Sequence, residues 1–195
     1  HKRGEIKITK VVLVTGSSGF IGFHLSNYLL SENWEVIGLD AMTDYYDLEL
    51  KKARLSRLHK SPNFVNYIGV IQDDILLNDI FSKYKPSIII HLAAQAGVRH
   101  SIEHPKLYVD SNLIGTFQIL EIAKKFNLKH LLIASTSSVY GNNKNMPLDE
   151  NQITNSPISF YAATKISNEV MAHSYSHLFN IPTTIFRFFT VYGPW

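Results

Sequence analysis

The stretch Val11-Val12-Leu13-Val14-Thr15-Gly16-Ser17-Ser18-Gly19-Phe20-Ile21-Gly22 carries the fold in its pattern. Its first residues are apolar or β-branched without polar alternation, as in a strand buried on both faces of a parallel sheet. Glycines follow at 16, 19 and 22, and Ile21, Leu25, Leu29 and Leu30 then recur at helical spacing to about Leu30. Glycines alone are a weak signal; a strand before them and a helix after them make it specific. A tight turn needs the first glycine, and a phosphate approaching the backbone needs no Cβ in its way. The third glycine lets helix and strand pack closely, while the helix N-terminus offers its free amides to an anion.

Strand and helix alternate outward from this turn. Strands are expected at Glu35–Asp40, Phe64–Ile71, Ser87–Leu92, His130–Ser135 and Thr183–Phe188. Helices are expected from Asp47 to about His59, from Asp79 to Lys85, from Pro105 to about Phe126 and from Phe160 to about Leu178. Short connections between them predict an α/β fold, a doubly wound parallel sheet whose ligand site lies at the carboxyl ends of the strands. The 195 residues are 45% hydrophobic and 18% charged, with 10 Gly and 7 Pro, which excludes a disordered or low-complexity chain. No run of about 18 apolar residues suggests a membrane span. The basic start from His1 to Lys10 lacks the apolar stretch of a secretory signal. With no Cys, disulfide and thiolate chemistry are excluded and a cytoplasmic location is the default. The net charge of +3 permits anionic ligands, and without a basic stripe interleaved with aromatics no nucleic acid partner is expected.

Asp40 closes the second strand, where an acid accepts hydrogen bonds from an adenosine ribose. A carboxylate there repels a 2′-phosphate, and Ala41-Met42-Thr43 bring no Arg or Lys to neutralise one, so NAD is expected rather than NADP. After the third strand, Asp74-Ile75 is a candidate for adenine contact. Tyr161-Ala162-Ala163-Thr164-Lys165 sets a phenol and an ammonium at i and i+4 on one helix face. An ammonium there is expected to draw the phenol down from its usual pKa of about 10, and a nicotinamide cation to add to this. A phenolate so formed can take the proton of an alcohol while hydride leaves its carbon. Thr136, at the end of the fifth strand, can hydrogen-bond the same hydroxyl.

These pieces, in this order, resemble the extended short-chain dehydrogenase/reductase superfamily, a Rossmann fold. The matching stretches are Thr15–Gly22, His91-Leu92-Ala93-Ala94, Ser138-Val139-Tyr140-Gly141 and Tyr161–Lys165, and the resemblance runs from Lys7 to Trp195. Within it the chain looks most like nucleotide-sugar 4-epimerases acting on UDP-glucuronate. That narrower likeness rests on Asp44-Tyr45-Tyr46-Asp47, on Ala94-Gln95-Ala96-Gly97-Val98-Arg99 and on Arg187–Trp195. The resemblance implies that Gly16, Gly19, Phe20, Ile21 and Gly22 hold the pyrophosphate, that Asp40 holds the ribose, and that Asp74 and Ile75 lie at the adenine. Leu92, Ala93, Ala94 and Gln95 would line the cofactor, with Asn112 bracing the loop beside it and Phe189 near the nicotinamide. Thr136, Tyr161 and Lys165 fall on the catalytic positions, and Lys165 would also hold the nicotinamide ribose. A smaller substrate domain would follow Trp195, and a homodimer through paired helices is implied.

Dehydratases of the superfamily carry an Asp-Glu pair after the catalytic Thr, and UDP-glucuronate decarboxylases carry a Glu at the second of these positions. Ser137-Ser138 stands there in this chain, which favours transient oxidation and hydride return, an epimerase, over elimination or decarboxylation. Thr190 is expected to face the sugar nucleotide and stands where UDP-galactose-type epimerases have Asn. A 4-keto uronic acid is a β-keto acid that loses CO₂ readily, so its carboxylate must be held still. Arg99, Ser137 and Thr136 are the candidates for that task. The alternative reading is an NAD-binding module without catalysis. The pairs His100/His104 and His173/His177 have i, i+4 spacing but no third ligand or intervening acid, so no metal is expected.

Overall fold

The computed structural model describes residues 10–144 and 146–195. Most of the basic start, residues 1–9, including the Lys7 at which the family likeness begins, lies outside them. Six parallel strands form one sheet in the order β3-β2-β1-β4-β5-β6. They are β1 (Val11–Thr15), β2 (Glu35–Asp40), β3 (Phe64–Ile68), β4 (Ile88–His91), β5 (His130–Thr136) and β6 (Thr183–Phe188). The helices are α1 (Phe20–Ser31), α2 (Leu48–Leu58), α3 (Asp74–Tyr84), α4 (His100–Glu103), α5 (Pro105–Tyr108), α6 (Gly115–Phe126) and α7 (Phe160–Phe179).

Alternation along each central strand sends side chains to two cores. Leu13, Ile37, Leu39, Ile89, Leu131 and Ile133 join Leu77, Ile80 and Phe81 of α3, Ile119, Leu120 and Ala123 of α6 and Ala172 of α7. Val12, Val14, Val36 and Ile90 point the other way, onto Phe23 of α1 and Leu58 of α2. The sheet is thus covered on both faces, which is why β1 and β2 read as unbroken apolar runs. Edge strands β3 and β6 are only partly buried.

Several boundaries differ from the sequence reading. The third strand stops at Ile68 rather than Ile71, and α3 begins at Asp74 rather than Asp79. Its start is set by Asp73, whose carboxylate accepts the Leu76 N–H at 2.9 Å. The helix expected from Pro105 is helical throughout but not uniform. Between α5 and α6, Val109–Ile114 widens into a π-turn, a form often found at functional sites. The short α4 has no counterpart in the sequence reading. Among the described residues no helix is long and apolar enough to cross a membrane.

The Phe81 side chain is fully buried and its ring lies 5.0 Å from that of Phe126. Phe81→Ala is expected to lower the unfolding free energy by about 3–5 kcal/mol, measured by denaturant titration.

Candidate functional site

Strand order reverses between β1 and β4, and a cleft of about 700 Å³ opens there at the carboxyl edge of the sheet. One end is the glycine-rich turn. Gly16 has φ +73° and a Cβ on it would lie 2.9 Å from the Ala93 nitrogen, so both backbone conformation and close approach require glycine. A Cβ on Gly22 would overlap the Gly16 carbonyl. Gly19 caps α1 without a side-chain bond, and no acid occupies the helix's first turn. The first amides and the positive end of the helix therefore face the cleft uncompensated.

Asp40 is buried at the end of β2. Its Oδ2 accepts the Ser18 N–H at 3.0 Å and its Oδ1 the Met42 N–H at 2.9 Å. These bonds fix the carboxylate while leaving acceptor capacity for hydroxyls. Ala41-Met42-Thr43 bring no cation to this carboxylate, as their sequence predicts. The fold supplies two from α2: Lys51 Nζ lies 3.7 Å from Asp40 Oδ1 and also donates to the Thr43 carbonyl at 3.1 Å. Arg54 donates to the Ser18 carbonyl at 3.2 Å, with its guanidinium 5.8 Å from the Phe20 ring centroid. Both line the cleft. Asp47 accepts from the Glu49 and Leu50 amides and so starts α2 where these side chains can reach back.

The middle of the cleft is the segment after β4. The Thr15 hydroxyl accepts the Leu92 and Ala93 N–H groups, both at 3.1 Å, so its own hydrogen goes to His91 Nδ1 at 2.8 Å. The other ring nitrogen, Nε2, then carries the proton and donates to Thr116 Oγ1 at 3.0 Å. Burial, with Lys165 nearby adding repulsion, pushes the His91 pKa down to about 3 and keeps the ring neutral. Asn112, fully buried in the π-turn, accepts the Gln95 N–H at 2.8 Å and donates to the Gln95 carbonyl and to Thr164 Oγ1, both at 3.0 Å. It clamps the loop against α7.

At the far end stand Thr136, Tyr161 and Lys165. Ser159 caps α7 by accepting the Ala162 N–H at 3.0 Å, placing the phenol and ammonium on the first turns of the helix. The Tyr161 N–H reaches Ser101 Oγ at 3.3 Å. Burial raises the Tyr161 pKa; a hydrogen bond with Thr136 pulls it down and the nearby Tyr46 adds a smaller upward push. The lowered phenol expected from the Tyr/Lys spacing is therefore not what the protein alone provides, because desolvation outweighs the Thr136 hydrogen bond. Lys165 is 3% exposed, and burial brings its pKa down to about 8 while Glu169 opposes the shift.

Gly16, Gly19, Phe20, Ile21, Gly22, Asp40, Leu92, Ala93, Ala94, Gln95, Thr136, Tyr161, Lys165 and Phe189 all line this cleft. Asp74 and Ile75 do not: they form the first turn of α3, with Ile75 exposed, and the segment from Gly69 to Gln72 takes the position beside Asp40. Three expected substrate residues also lie off the cleft wall. Arg99 is exposed at the start of α4, Thr190 is exposed after β6, and Ser137 opens the 3-10 turn Ser137–Tyr140. His100 and His104 pack together at 4.5 Å between centroids, next to Tyr45. Among the described residues no three potential metal ligands gather.

The sheet order, the glycine turn and the Thr–Tyr–Lys set at one rim define an extended short-chain dehydrogenase/reductase. More particularly, the chain belongs to the GDP-mannose 4,6 dehydratase family, whose model matches residues 13–195. It is 51% identical over 183 residues to a probable UDP-glucuronate 4-epimerase of Rhizobium meliloti, a match covering 94% of this chain and 54% of that protein. The chain thus spans about half the length of the curated relatives it matches. Among solved structures, UDP-glucuronic acid 4-epimerase from Bacillus cereus, in complex with UDP-glucuronic acid and NAD, superposes with a TM-score of 0.85 at 36% identity, covering 94% of this chain and 58% of that one. UDP-glucose 4-epimerase from Thermotoga maritima, with UDP-glucose, gives 0.85 at 33% identity, covering 94% and 57%.

The neutral His91 makes stability depend on acid. In the unfolded chain the ring protonates near pH 6.5, whereas in the fold it resists until about 3. Its contribution is complete above pH 6.5 and is lost as pH falls through that window, at up to about 1.4 kcal/mol per pH unit. Denaturant titrations at pH 7 and pH 5 should show this loss for the unmodified chain and a smaller one for His91→Asn.

Proposed function

We propose that this chain is the cofactor-binding and catalytic part of an NAD-dependent nucleotide-sugar 4-epimerase, interconverting UDP-glucuronate and UDP-galacturonate. The observation that carries the reading is the convergence of Thr136, Tyr161 and Lys165 at one end of the cleft whose other end is the glycine-rich turn. The cleft fits a dinucleotide. Uncompensated amides of α1 suit the pyrophosphate, and the carboxylate of Asp40, held by two main-chain amides, suits the adenosine ribose. Lys51 and Arg54 temper the local negative charge, so discrimination against a 2′-phosphate rests on Asp40 itself.

NAD⁺ held there would supply a hydride acceptor, and once reduced a hydride donor, for the sugar's C4. Tyr161 takes the proton of the C4 hydroxyl and later returns it, with Thr136 hydrogen-bonded to the same oxygen. Its phenol, raised by burial, needs positive charge nearby to ionise at working pH. Lys165 supplies one such charge and would hold the nicotinamide ribose, and a bound nicotinamide cation would add a second. Ser137 and Ser138 offer hydroxyls rather than carboxylates after Thr136, which supports hydride return over elimination. The uronate reading is supported by the 51% identity to the Rhizobium meliloti protein. A homodimer and a cytoplasmic location accompany this proposal.

Incubating the full-length protein with UDP-glucuronate is expected to yield UDP-galacturonate by chromatography. Formation of UDP-xylose, or turnover of UDP-glucose alone, would sink the assignment; bound NAD without UDP-sugar affinity would mark a binding module instead. Tyr161→Phe should lower turnover by about 10²–10⁴-fold while NAD still co-purifies. Asp40→Ala should weaken NAD binding by about tenfold or more, read by calorimetry.

A further inference from the structure

Lys165 and Tyr161 are held by a helix, and something must hold that helix against the sheet and keep a buried ammonium charged. One turn beyond Lys165 on the same face of α7 is Glu169, whose side chain is 11% exposed. Its Oε1 accepts the Ser135 hydroxyl at 2.5 Å and Arg187 Nε at 3.1 Å, while Oε2 accepts Arg187 Nη2 at 2.8 Å. Arg187 comes from β6 and Ser135 from β5, directly before Thr136. The guanidinium is itself fixed: Nη1 donates to Tyr140 Oη and to the Glu150 carbonyl, both at 3.2 Å, and the Tyr140 ring lies 5.0 Å away. A two-pronged arginine contact plus a hydroxyl gives a carboxylate one orientation.

We propose that Glu169 is a positioning residue for Lys165: a carboxylate locked by Arg187 and Ser135 that acts as counter-charge to the buried ammonium and ties α7 to the ends of β5 and β6. The inference rests on the reading of Lys165 as the cation that serves Tyr161. Other groups around Lys165 do not take this part. From β4 it is faced by His91, which is neutral, and from its own helix by Tyr161, a phenol. Tyr46, from the segment between β2 and α2, stands beside Tyr161, and the Arg187 cation lies behind Glu169. Among the described residues, Glu169 is the acid one helical turn from Lys165 on the same face of α7, and its carboxylate favours the charged form of Lys165 against burial. Removing its charge therefore discharges the ammonium at lower pH.

The test is a ¹³Cε NMR titration of Lys165 in this chain, which needs neither nucleotide nor turnover. Glu169→Gln keeps size and hydrogen-bonding capacity and removes the charge. The Lys165 midpoint is expected to fall by about one pH unit, and Glu169→Asp to bring it part of the way back. In the full-length protein the alkaline limb of turnover should move to lower pH by the same amount. If Glu169→Gln does not fold because Arg187 is left unpaired, the double variant Glu169→Gln/Arg187→Gln removes that charge too, and its midpoint should still lie below that of the unmodified chain. A melting temperature that falls while the midpoint stays put in a folded variant overturns the proposal and leaves the contact a structural tie. A shifted midpoint in a protein inactive towards UDP-sugars upholds the role of Glu169 and sinks the epimerase reading instead.

Discussion

Six parallel strands must all leave the sheet at the same edge, and chemistry on this chain can collect only there. The constraint bites hardest between β1 and β4. From β1 the chain passes to α1 on one face, while the connections around β4 and β5 pass over the other, so the two segments part and leave the crevice. Parallel register then sets what meets across it. Thr15 stands opposite His91, and Thr136 opposite Phe188, at the last paired positions of their strands. Residues far apart in sequence face one another because their strands end together.

Collecting polar groups at a closed edge has an energetic consequence. Thr15, His91, Asn112, Thr116, Thr164 and Lys165 are all buried, and a buried donor or acceptor left unpaired costs about 1–3 kcal/mol. The first five satisfy one another in two linked sets, one through His91 and one through Asn112. Each bond joins two segments of the chain around the cleft wall, so the wall is held in place by the protein's own contacts. Preorganisation of this kind spares a ligand the entropy of ordering its own site.

Much of this was legible in the sequence. The unbroken apolar runs of β1 and β4, the glycines between β1 and α1, and the Tyr161/Lys165 pair all express local periodicity, which survives folding. What escaped was what depends on distance in space. Lys51 and Arg54 lie eleven and fourteen residues beyond Asp40, yet α2 turns them back towards it, which no local pattern announces. Asp74-Ile75, expected at the adenine, stands in the first turn of α3 and off the cleft wall, because Asp73 caps that helix earlier than apolar spacing suggests. Burial, too, has no sequence signature at a single tyrosine, and it reverses the direction expected for the Tyr161 pKa. The π-turn at Val109–Ile114 left no trace in composition.

That turn alters how the long helical run tolerates change. An α-helix advances about 100° per residue, so one additional residue in a single turn rotates everything after it relative to everything before. The face of α5 that buries Tyr108 and the face of α6 that buries Ile119 and Leu120 are set in phase by that extra residue, with Asn112 inside at the point of adjustment. Deleting one residue between Val109 and Ile114 would regularise the helix locally. It would also swing α6 by about a quarter turn against α3 and α7, taking Asn112 away from Gln95. A segment that looks like an ordinary helix therefore counts its residues as strictly as the glycine-rich turn counts its atoms.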